Sequence, residues 1–298
     1  MKLKILGCNS ATPAYGRHPT AQVVNIKEQL FLVDCGEGAQ MQMQEFGVKR
    51  NRMNHIFISH LHGDHFFGLI GFLNSLALYG REKEMHIYGP KDLKAIIEIQ
   101  LMHELSYTLH FHFLDFKNEQ IIYDSESVEV RSFPVHHSIE TCGFLFTEKE
   151  RARVLLPEEC RHYEIPKYFY KRLTYGEDYE RKNGDIIKNG WLTKEGKKPS
   201  RYAYTADTAP HKMYSDIIKK ADLLYHEATY EEVHLDKAID RKHSTAKQAA
   251  RVAKDAEVKQ LLIGHYSSRY KELDTLFNEA KSIFANTILA VEGEEIEV

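Results

Sequence analysis

The stretch "ISHLHGDHFFG", residues 58–68, constrains this chain most, because it places His60, His62, Asp64 and His65 within six positions directly after the apolar run "HIFIS". Imidazole nitrogen and carboxylate oxygen are ligand atoms that suit Zn²⁺. Four adjacent side chains would rarely close a tetrahedron around one ion without strain. His60 and His62 could therefore bind one ion and Asp64 and His65 a second, and both ions then need further ligands from elsewhere in the chain.

Three distant residues are candidates for those further ligands. His137 follows "SVEVRSFPV", Asp207 follows "RYAYTA" and His265 follows "QLLIG". Ligands in layered α/β folds collect at the carboxyl ends of strands, so these residues and the His60 cluster could share one edge. Asp207 has two oxygens and is the natural bridge between two ions. Each residue taken alone is more often a surface or core residue, and His136 competes with His137.

Short strand patterns alternate with helical patterns along most of the chain, which predicts a layered α/β domain. The apolar spacing predicts helices over 66–79, 91–104, 211–220, from about 244, and over 273–283. Five further histidines lie within predicted strands or helices, and we expect them to be structural or exposed: His55, His86, His103, His110 and His112.

One segment, at about 151–200, breaks this alternation. It is polar, rich in Tyr, Lys and Arg, and carries turn signals in place of a long apolar period. Residues 161–201 hold eleven Lys or Arg against six Asp or Glu, whereas the whole chain has a formal net charge of -3. We interpret this segment as an insertion projecting from a single domain that spans residues 1–298.

Cysteine spacing and hydropathy indicate the compartment. Cys8, Cys35, Cys142 and Cys160 form no CxxC pair, so neither a disulfide framework nor a cysteine zinc knuckle is expected. The N-terminus lacks the apolar core of a signal peptide, and no window approaches the ~20 apolar residues that span a bilayer. The simplest interpretation is a cytoplasmic protein with no membrane segment. Its net charge provides no global basic field for nucleic acid, so a polyanion would need a local patch.

Eight motifs in order resemble those of the ribonuclease Z family of the metallo-β-lactamase fold, which trims the 3′ end of precursor tRNA. They are "LGCNSATP", "VDCGEGAQ" with Asp34, "SHLHGDHFFGL", "HHSIETCGF", "AYTADT", "HEATY" with Glu227, "HST" with His243, and "GHYSSRY". The resemblance spans essentially the whole chain. Hydrolases of the glyoxalase type share HxHxDH but are not expected to carry the last three motifs in order after it.

The resemblance implies a four-layer αββα sandwich with an inserted substrate-binding arm, two Zn²⁺ per chain, precursor tRNA as substrate and a homodimer. It assigns Asp64 as general base and His243 as general acid or phosphate contact. A hydroxide shared by the ions would attack the phosphodiester, remove the 3′ trailer and leave a 3′-hydroxyl on the tRNA. The implied zinc ligands are His60, His62, His137 and Asp207 for one ion, and Asp64, His65, Asp207 and His265 for the other.

Residues around the implied site have both functional and structural interpretations. Glu227 could orient His243 or a ligand imidazole, or cap the segment that follows it. Ser244 or Thr245 could cap the next helix and leave backbone N–H groups facing a phosphate, although capping alone explains both residues.

Ser267, Ser268 and Arg269 suit phosphate oxygens chemically, although Arg269 could equally pair with a surface carboxylate. Two departures from the family pattern concern substrate binding. The opening loop reads Gly-Cys-Asn-Ser where the family usually has Gly-Thr-Gly, and the arm lacks the common Gly-Pro pair.

Two other functions remain open at this point. One is a metallohydrolase of small phosphodiesters or esters with the same fold. The other is a non-catalytic RNA-binding scaffold, which would be expected to lose ligand residues that this chain retains.

Overall fold

The computed structural model describes residues 1–101, 105–149, 153–196 and 198–298. Its internal contacts divide the chain into two compact units, one formed by Met1–Thr147 with Ser200–Val298 and the other by Glu148–Pro199.

The first unit contains two seven-stranded mixed sheets. The first sheet has, in spatial order, β18 (Glu295–Glu297), β1 (Lys2–Gly7), β2 (Ala21–Ile26), β3 (Gln29–Cys35), β4 (Met53–Phe57), β5 (Met85–Gly89) and β6 (Leu109–Phe113). The second has β17 (Thr287–Leu289), β16 (Gln260–Gly264), β15 (Leu223–Glu227), β14 (Arg201–Tyr204), β9 (Cys142–Glu148), β8 (Val128–Pro134) and β7 (Gln120–Asp124). Strands β3 to β6 are parallel, and so are β14 to β17.

Helices cover the outer faces of both sheets. The α-helices of this unit are α1 (Ala39–Glu45), α2 (Gly63–Phe66), α3 (Leu69–Leu78), α4 (Lys91–Gln100), α8 (Ser215–Ile218), α9 (Leu235–Arg241), α10 (Ala246–Asp255) and α11 (Asp274–Lys281). Short 3₁₀ helices lie at Arg50–Arg52, Lys212–Tyr214 and Glu232–His234. Among the described residues, no helix is long and apolar enough to cross a membrane.

The pleat of the strands explains the four layers. On β3, Phe31 and Val33 join a core that contains residues of both sheets, whereas Leu32 joins the core beneath α1, α3 and α4. Successive side chains of a strand face opposite sides, so a strand buried on both faces must be almost continuously apolar. On the other side, alanines of α10 such as Ala249 and Ala253 are fully buried in the core that includes β15 and β16. The predicted αββα sandwich is confirmed.

The second unit is small and has its own core. It contains β10 (Val154–Leu155), α5 (Pro157–His162), α6 (Tyr170–Thr174), β11 (Tyr179–Glu180), β12 (Ile186–Ile187), α7 (Asn189–Leu192), β13 (Thr193–Lys194) and a 3₁₀ turn at Lys167–Phe169. The core residues are Cys160, Ile165, Phe169, Leu173, Ile187 and Leu192.

Several predicted elements differ from those observed. The helix predicted over 91–104 ends at Gln100, and residues 102–104, including His103, lie outside the described residues. The helix predicted over 211–220 is a 3₁₀ turn followed by the four-residue α8. The sequence patterns did not identify β6, β7 or β9, nor helices α1 and α9.

A row of histidines crosses the first sheet away from the HxHxDH loop. His55, His86 and His110 are in register on β4, β5 and β6, with ring centroids 5.1 and 4.9 Å apart. Burial, together with the neighbouring His86 and His112 rings, lowers the pKa of His55 to about 4. These rings are structural, and their packing requires an uncharged His55.

This row predicts a loss of stability in acid. The pKa of His55 in the folded protein lies below the ~6.5 of an unfolded chain, so the unfolded state binds more protons between these values. The free energy of unfolding should therefore fall as pH drops from about 6.5 towards 4. His55→Leu should show a weaker fall in denaturant melts at pH 7, 6 and 5. His162→Leu, which removes an exposed histidine, is the control; equal pH dependence in all three proteins would contradict this account.

Candidate metal centre

The ends of the strands bring the candidate ligands to one edge of the sandwich. His60 and His62 lie in the loop after β4, and Asp64 and His65 begin α2. The sequence expectation of a shared edge is met geometrically, because the ligand atoms fall into two groups, each with all atoms within 4.8 Å of one another. The groups are His60, His62, His137 and Asp207, and Asp64, His65, Asp207 and His265.

The backbone at these strand ends is unusual. Asp34, Ala206 and His265 have positive φ angles of 54°, 52° and 59°. A non-glycine residue in this left-handed region costs of order 1–3 kcal/mol and persists only where surrounding contacts hold it. Gly36 allows its backbone to pack closely against the backbone of Asp64, since a Cβ at Gly36 would lie 2.4 Å from the carbonyl oxygen of Asp64. The surrounding contacts thus hold a strained backbone that directs these side chains into the site.

The first group is compact, and three of its four residues are buried, with His62 partly exposed. His62 Nδ1 lies 3.1 Å from His60 Nε2 and 3.2 Å from His137 Nε2. Asp207 Oδ2 lies 3.6 Å from His60 Nε2 and 3.8 Å from His137 Nε2. Burial lowers the pKa of all three imidazoles, which favours the neutral rings that bind metals.

The second group uses the other oxygen of Asp207. Asp207 Oδ1 lies 3.2 Å from His265 Nε2 and 3.3 Å from His65 Nε2. Asp64 Oδ2 lies 3.3 Å from His265 Nε2 and 3.7 Å from His65 Nε2. Burial opposes the charge of Asp207, but His265 and His65 hold the pKa of this carboxyl well below its usual range.

Both groups fit divalent metal ions. Bonds of about 2.0–2.1 Å to nitrogen and oxygen place tetrahedral ligand atoms about 3.4 Å apart, close to the separations in each group. Asp207 Oδ1 is buried without a hydrogen-bond partner among the described residues. A buried carboxylate oxygen that accepts no hydrogen bond is costly, so this atom is suited to a cation. These His and Asp groups are therefore suited to bind a metal cofactor.

Asp34 lies behind the ligand His65 and fixes its ring by hydrogen bonding. This fully buried carboxylate accepts hydrogen bonds from the Ser59 N–H (2.8 Å), the Ser59 hydroxyl (2.9 Å) and the Tyr204 hydroxyl (2.5 Å). Its Oδ2 also lies 2.7 Å from His65 Nδ1. Such a contact fixes the ring so that its other nitrogen faces the metal.

Glu227 and His243 form a second buried pair. Glu227 Oε1 lies 2.6 Å from His243 Nδ1, and the Thr208 N–H and Thr229 N–H donate to the same carboxylate at 3.0 and 3.2 Å. Burial opposes the charge of His243, yet Glu227 raises the pKa of His243 to about 9. Glu227 therefore orients His243 and also caps backbone N–H groups, so both sequence interpretations of this residue describe real contacts.

A cleft of about 610 Å³ opens over the second group. Its lining includes Asp64, Asp207, His243 and His265, together with the predicted phosphate contacts Ser267, Ser268 and Arg269. The Ala11 N–H of the opening loop donates to Asp64 Oδ2 at 2.7 Å. Sequence reasoning did not single out several lining residues, among them Pro19, Glu37, Phe67, Thr229, Tyr230 and Arg241. Only the positive charge of Arg241, two positions before His243, was a usable signal.

Two predicted substrate contacts are corrected by the geometry. The Ser244 hydroxyl donates to the Thr208 carbonyl and the Thr245 hydroxyl donates to Glu232, both at 2.6 Å. Thr245 also caps α10 by accepting from the Gln248 N–H. Both side chains are fully buried and neither lines the cleft, so their hydroxyls stabilise the fold and do not face substrate.

The adjacent histidines 136 and 137 are also distinguished. The His137 ring lies in the first group, with Nδ1 2.9 Å from the Lys242 carbonyl oxygen. The His136 ring packs against His211, with centroids 5.4 Å apart.

Comparisons with known proteins give matches along the whole chain. A protein named ribonuclease Z from Bacteroides fragilis is 44% identical over 98% of this chain and 97% of its own length. Human tRNase Z, short form, is 27% identical with a TM-score of 0.71, covering 100% of this chain and 99% of that one. The metallo-beta-lactamase fold protein YhfI from Bacillus subtilis, 19% identical with a TM-score of 0.68 and 99% coverage of both chains, shares the fold. Residues 1–153 match a family model described as Anti-Pycsar protein Apyc1.

Because Asp207 contributes one oxygen to each ligand group, its removal should lower the metal content of the protein. Asp207→Ala removes one ligand from each group, so elemental analysis should find substantially less metal per chain than in the native protein. Asp255→Ala, at the exposed end of α10, is the matched control and should retain the native content. Equal metal in the native protein and in Asp207→Ala would remove Asp207 from the proposed bridge.

Proposed function

This chain belongs to the ribonuclease Z family, and we propose that it removes the 3′ trailer from precursor tRNA with two zinc ions, one at each ligand group. It is a hydrolase of the endoribonuclease class. One observation carries this function: seven potential ligand side chains form two adjoining groups, and four of them line one cleft with His243. The chain is 44% identical to a ribonuclease Z over nearly its full length.

The ions would lower the pKa of a bound water towards neutrality and offset the charge that develops on the phosphate oxygens. Asp64 is an ionised carboxylate at the cleft, so it can accept a hydrogen bond from the attacking water and orient it, and we assign it as the group that takes the proton. Burial opposes that ionisation, but His65 and His265 keep the pKa of Asp64 well below its ordinary value. The Ala11 N–H donates to Asp64 Oδ2 and holds the carboxylate in place.

His243 is suited to donate a proton to the leaving oxygen. Glu227 occupies its Nδ1, so only Nε2 is available to the cleft. Arg241 and Arg269 add positive charge to the cleft lining, beside Ser267 and Ser268. Together with bound cations, these two arginines would offset the charge of a polyanionic substrate in a chain with a net charge of -3.

A second candidate is hydrolysis of small phosphodiesters. Both ligand groups and the cleft lie wholly in the first compact unit, so a small diester would need nothing from the second. A non-catalytic scaffold is disfavoured, because all seven ligand side chains are present.

The role of His243 can be tested by removing its imidazole. His243→Ala should slow precursor tRNA cleavage about 10²–10⁴-fold, the usual range for a positioned acid or base, while metal content stays native. His110→Ala, on the distant edge strand β6, is the control and should cleave normally. Unchanged cleavage, or loss of metal, would give His243 a structural role instead.

The second unit is proposed to hold the body of the tRNA. Its surface exposes Tyr168 and Tyr175 at 78% and 71%, and Trp191 at 54%, among many Lys and Arg side chains. Lysine and arginine give sequence-independent phosphate contacts, and exposed aromatic rings can stack on bases. The ends of this insertion are neighbours, since Thr147 pairs with Arg201 across β9 and β14. A short loop could therefore replace it without disturbing the sheet.

Replacement of residues 150–199 by a short Gly/Ser loop separates the two candidate functions. Precursor tRNA cleavage should be nearly abolished at moderate salt, because the phosphate contacts are lost. Hydrolysis of bis(p-nitrophenyl) phosphate should stay within a few fold, with native metal content and a cooperative melt as controls.

Intact tRNA cleavage by the deletion variant would contradict the arm proposal, and no tRNA cleavage by the native protein would favour the small-diester enzyme.

We further propose that the chain acts in the cytoplasm as a homodimer, so that the arm of one subunit can serve the cleft of the other. Light scattering should give a mass twice that of one chain for both the native protein and the deletion variant. A monomeric mass for the native protein would contradict this arrangement.

A further inference from the structure

Two buried hydroxyl groups lie between a carboxylate and a ligand imidazole. We propose that Thr229 and Ser59 are positioning residues that fix which nitrogen of His265 and of His60 faces the metal. The inference rests on the proposed metal centre and concerns residues outside both ligand groups.

The Thr229 hydroxyl joins three functional side chains. Its Oγ1 lies 2.6 Å from Glu227 Oε2, 2.9 Å from His265 Nδ1 and 3.4 Å from His243 Nδ1. Thr229 is 2% exposed and Glu227 is fully buried, so water cannot easily replace these contacts. The shortest two contacts connect the carboxylate with the ligand ring.

The number of hydrogens on these groups determines which atom donates and which accepts in each contact. An ionised carboxylate only accepts hydrogen bonds, and a threonine hydroxyl has a single hydrogen. That hydrogen must go to Glu227, so Thr229 Oγ1 can only accept from His265. His265 therefore carries its hydrogen on Nδ1, and its Nε2 lone pair faces Asp64 and Asp207 at 3.3 and 3.2 Å.

Ser59 repeats this arrangement at the first group. Its hydroxyl donates to Asp34 Oδ2 at 2.9 Å and lies 2.9 Å from His60 Nδ1. By the same count, His60 carries its hydrogen on Nδ1, and its Nε2 lone pair faces Asp207. Each ligand group thus contains one imidazole that is oriented through a hydroxyl, by Asp34 in one group and by Glu227 in the other.

The Thr229 connection also ties the metal centre to His243. Glu227 uses Oε1 to hold His243 directly and Oε2 to hold His265 through Thr229. Removing the Thr229 hydroxyl should therefore weaken one metal site while leaving the direct contact between Glu227 and His243 in place. Removing the Ser59 hydroxyl should weaken the other site.

The test measures the two zinc affinities of the full-length protein by competition with a chelator. Thr229→Val keeps the side-chain shape without the hydroxyl, and Thr229→Ser restores the hydroxyl. Thr229→Val and Ser59→Ala should each weaken one of the two ions about 10- to 100-fold, the usual effect of losing a contact behind a ligand. The double variant should weaken both ions, and Thr229→Ser should stay within a few fold of the native protein.

The outcomes separate this inference from the metal proposal. Native protein with two tightly bound zinc ions and unchanged affinities in Thr229→Val would overturn the inference alone. Thr229→Ser as weak as Thr229→Val would overturn it too, because the hydroxyl would not be responsible. Native protein that binds no zinc would overturn the metal proposal and this inference together. Thermal melts of the metal-free variants show whether each remains folded.

Discussion

The centre depends on one buried carboxylate that faces two groups of ligands at once. Asp207 is 2% exposed and directs Oδ2 to His60 and His137 and Oδ1 to His65 and His265. Such a group is costly to bury without cations or hydrogen-bond donors. The fold supplies imidazoles from three separate segments, and the strained backbone at Ala206 places Asp207 where it can serve both groups.

The surrounding hydrogen bonds follow from the same requirement. Buried histidines bind metal only if one nitrogen is free, so the other must be occupied by an acceptor. Asp34 provides this function directly to His65 and through Ser59 to His60, and Glu227 provides it through Thr229 to His265. Glu227 also holds His243, which belongs to neither ligand group. Both carboxylates are themselves satisfied by several donors, which allows their charge to remain inside the protein. The core of the sandwich is thus apolar between the layers and densely polar at one edge.

The sequence predicted the layers and the ligands better than the contacts that support them. Apolar strands such as β3 can be predicted from sequence because both of their faces are buried. The HxHxDH motif can be recognised because its four potential ligand residues are close together in the chain. Strand β6, "LHFHF", lacks this signal because it is a partly exposed edge strand. Spacing could not separate His136 from His137, since neighbours on an extended chain differ only in the side they face. Thr229 and Ser59 act through partners that only the folded chain brings together.

The central claim is that two metal ions share Asp207 between the two ligand groups. The most direct measurement is an anomalous difference map at the zinc absorption edge from crystals of the native protein. The account predicts two peaks about 3.5–4 Å apart, one against His60, His62 and His137 and one against Asp64, His65 and His265, with Asp207 between them. A single peak, or peaks away from Asp207, would contradict it.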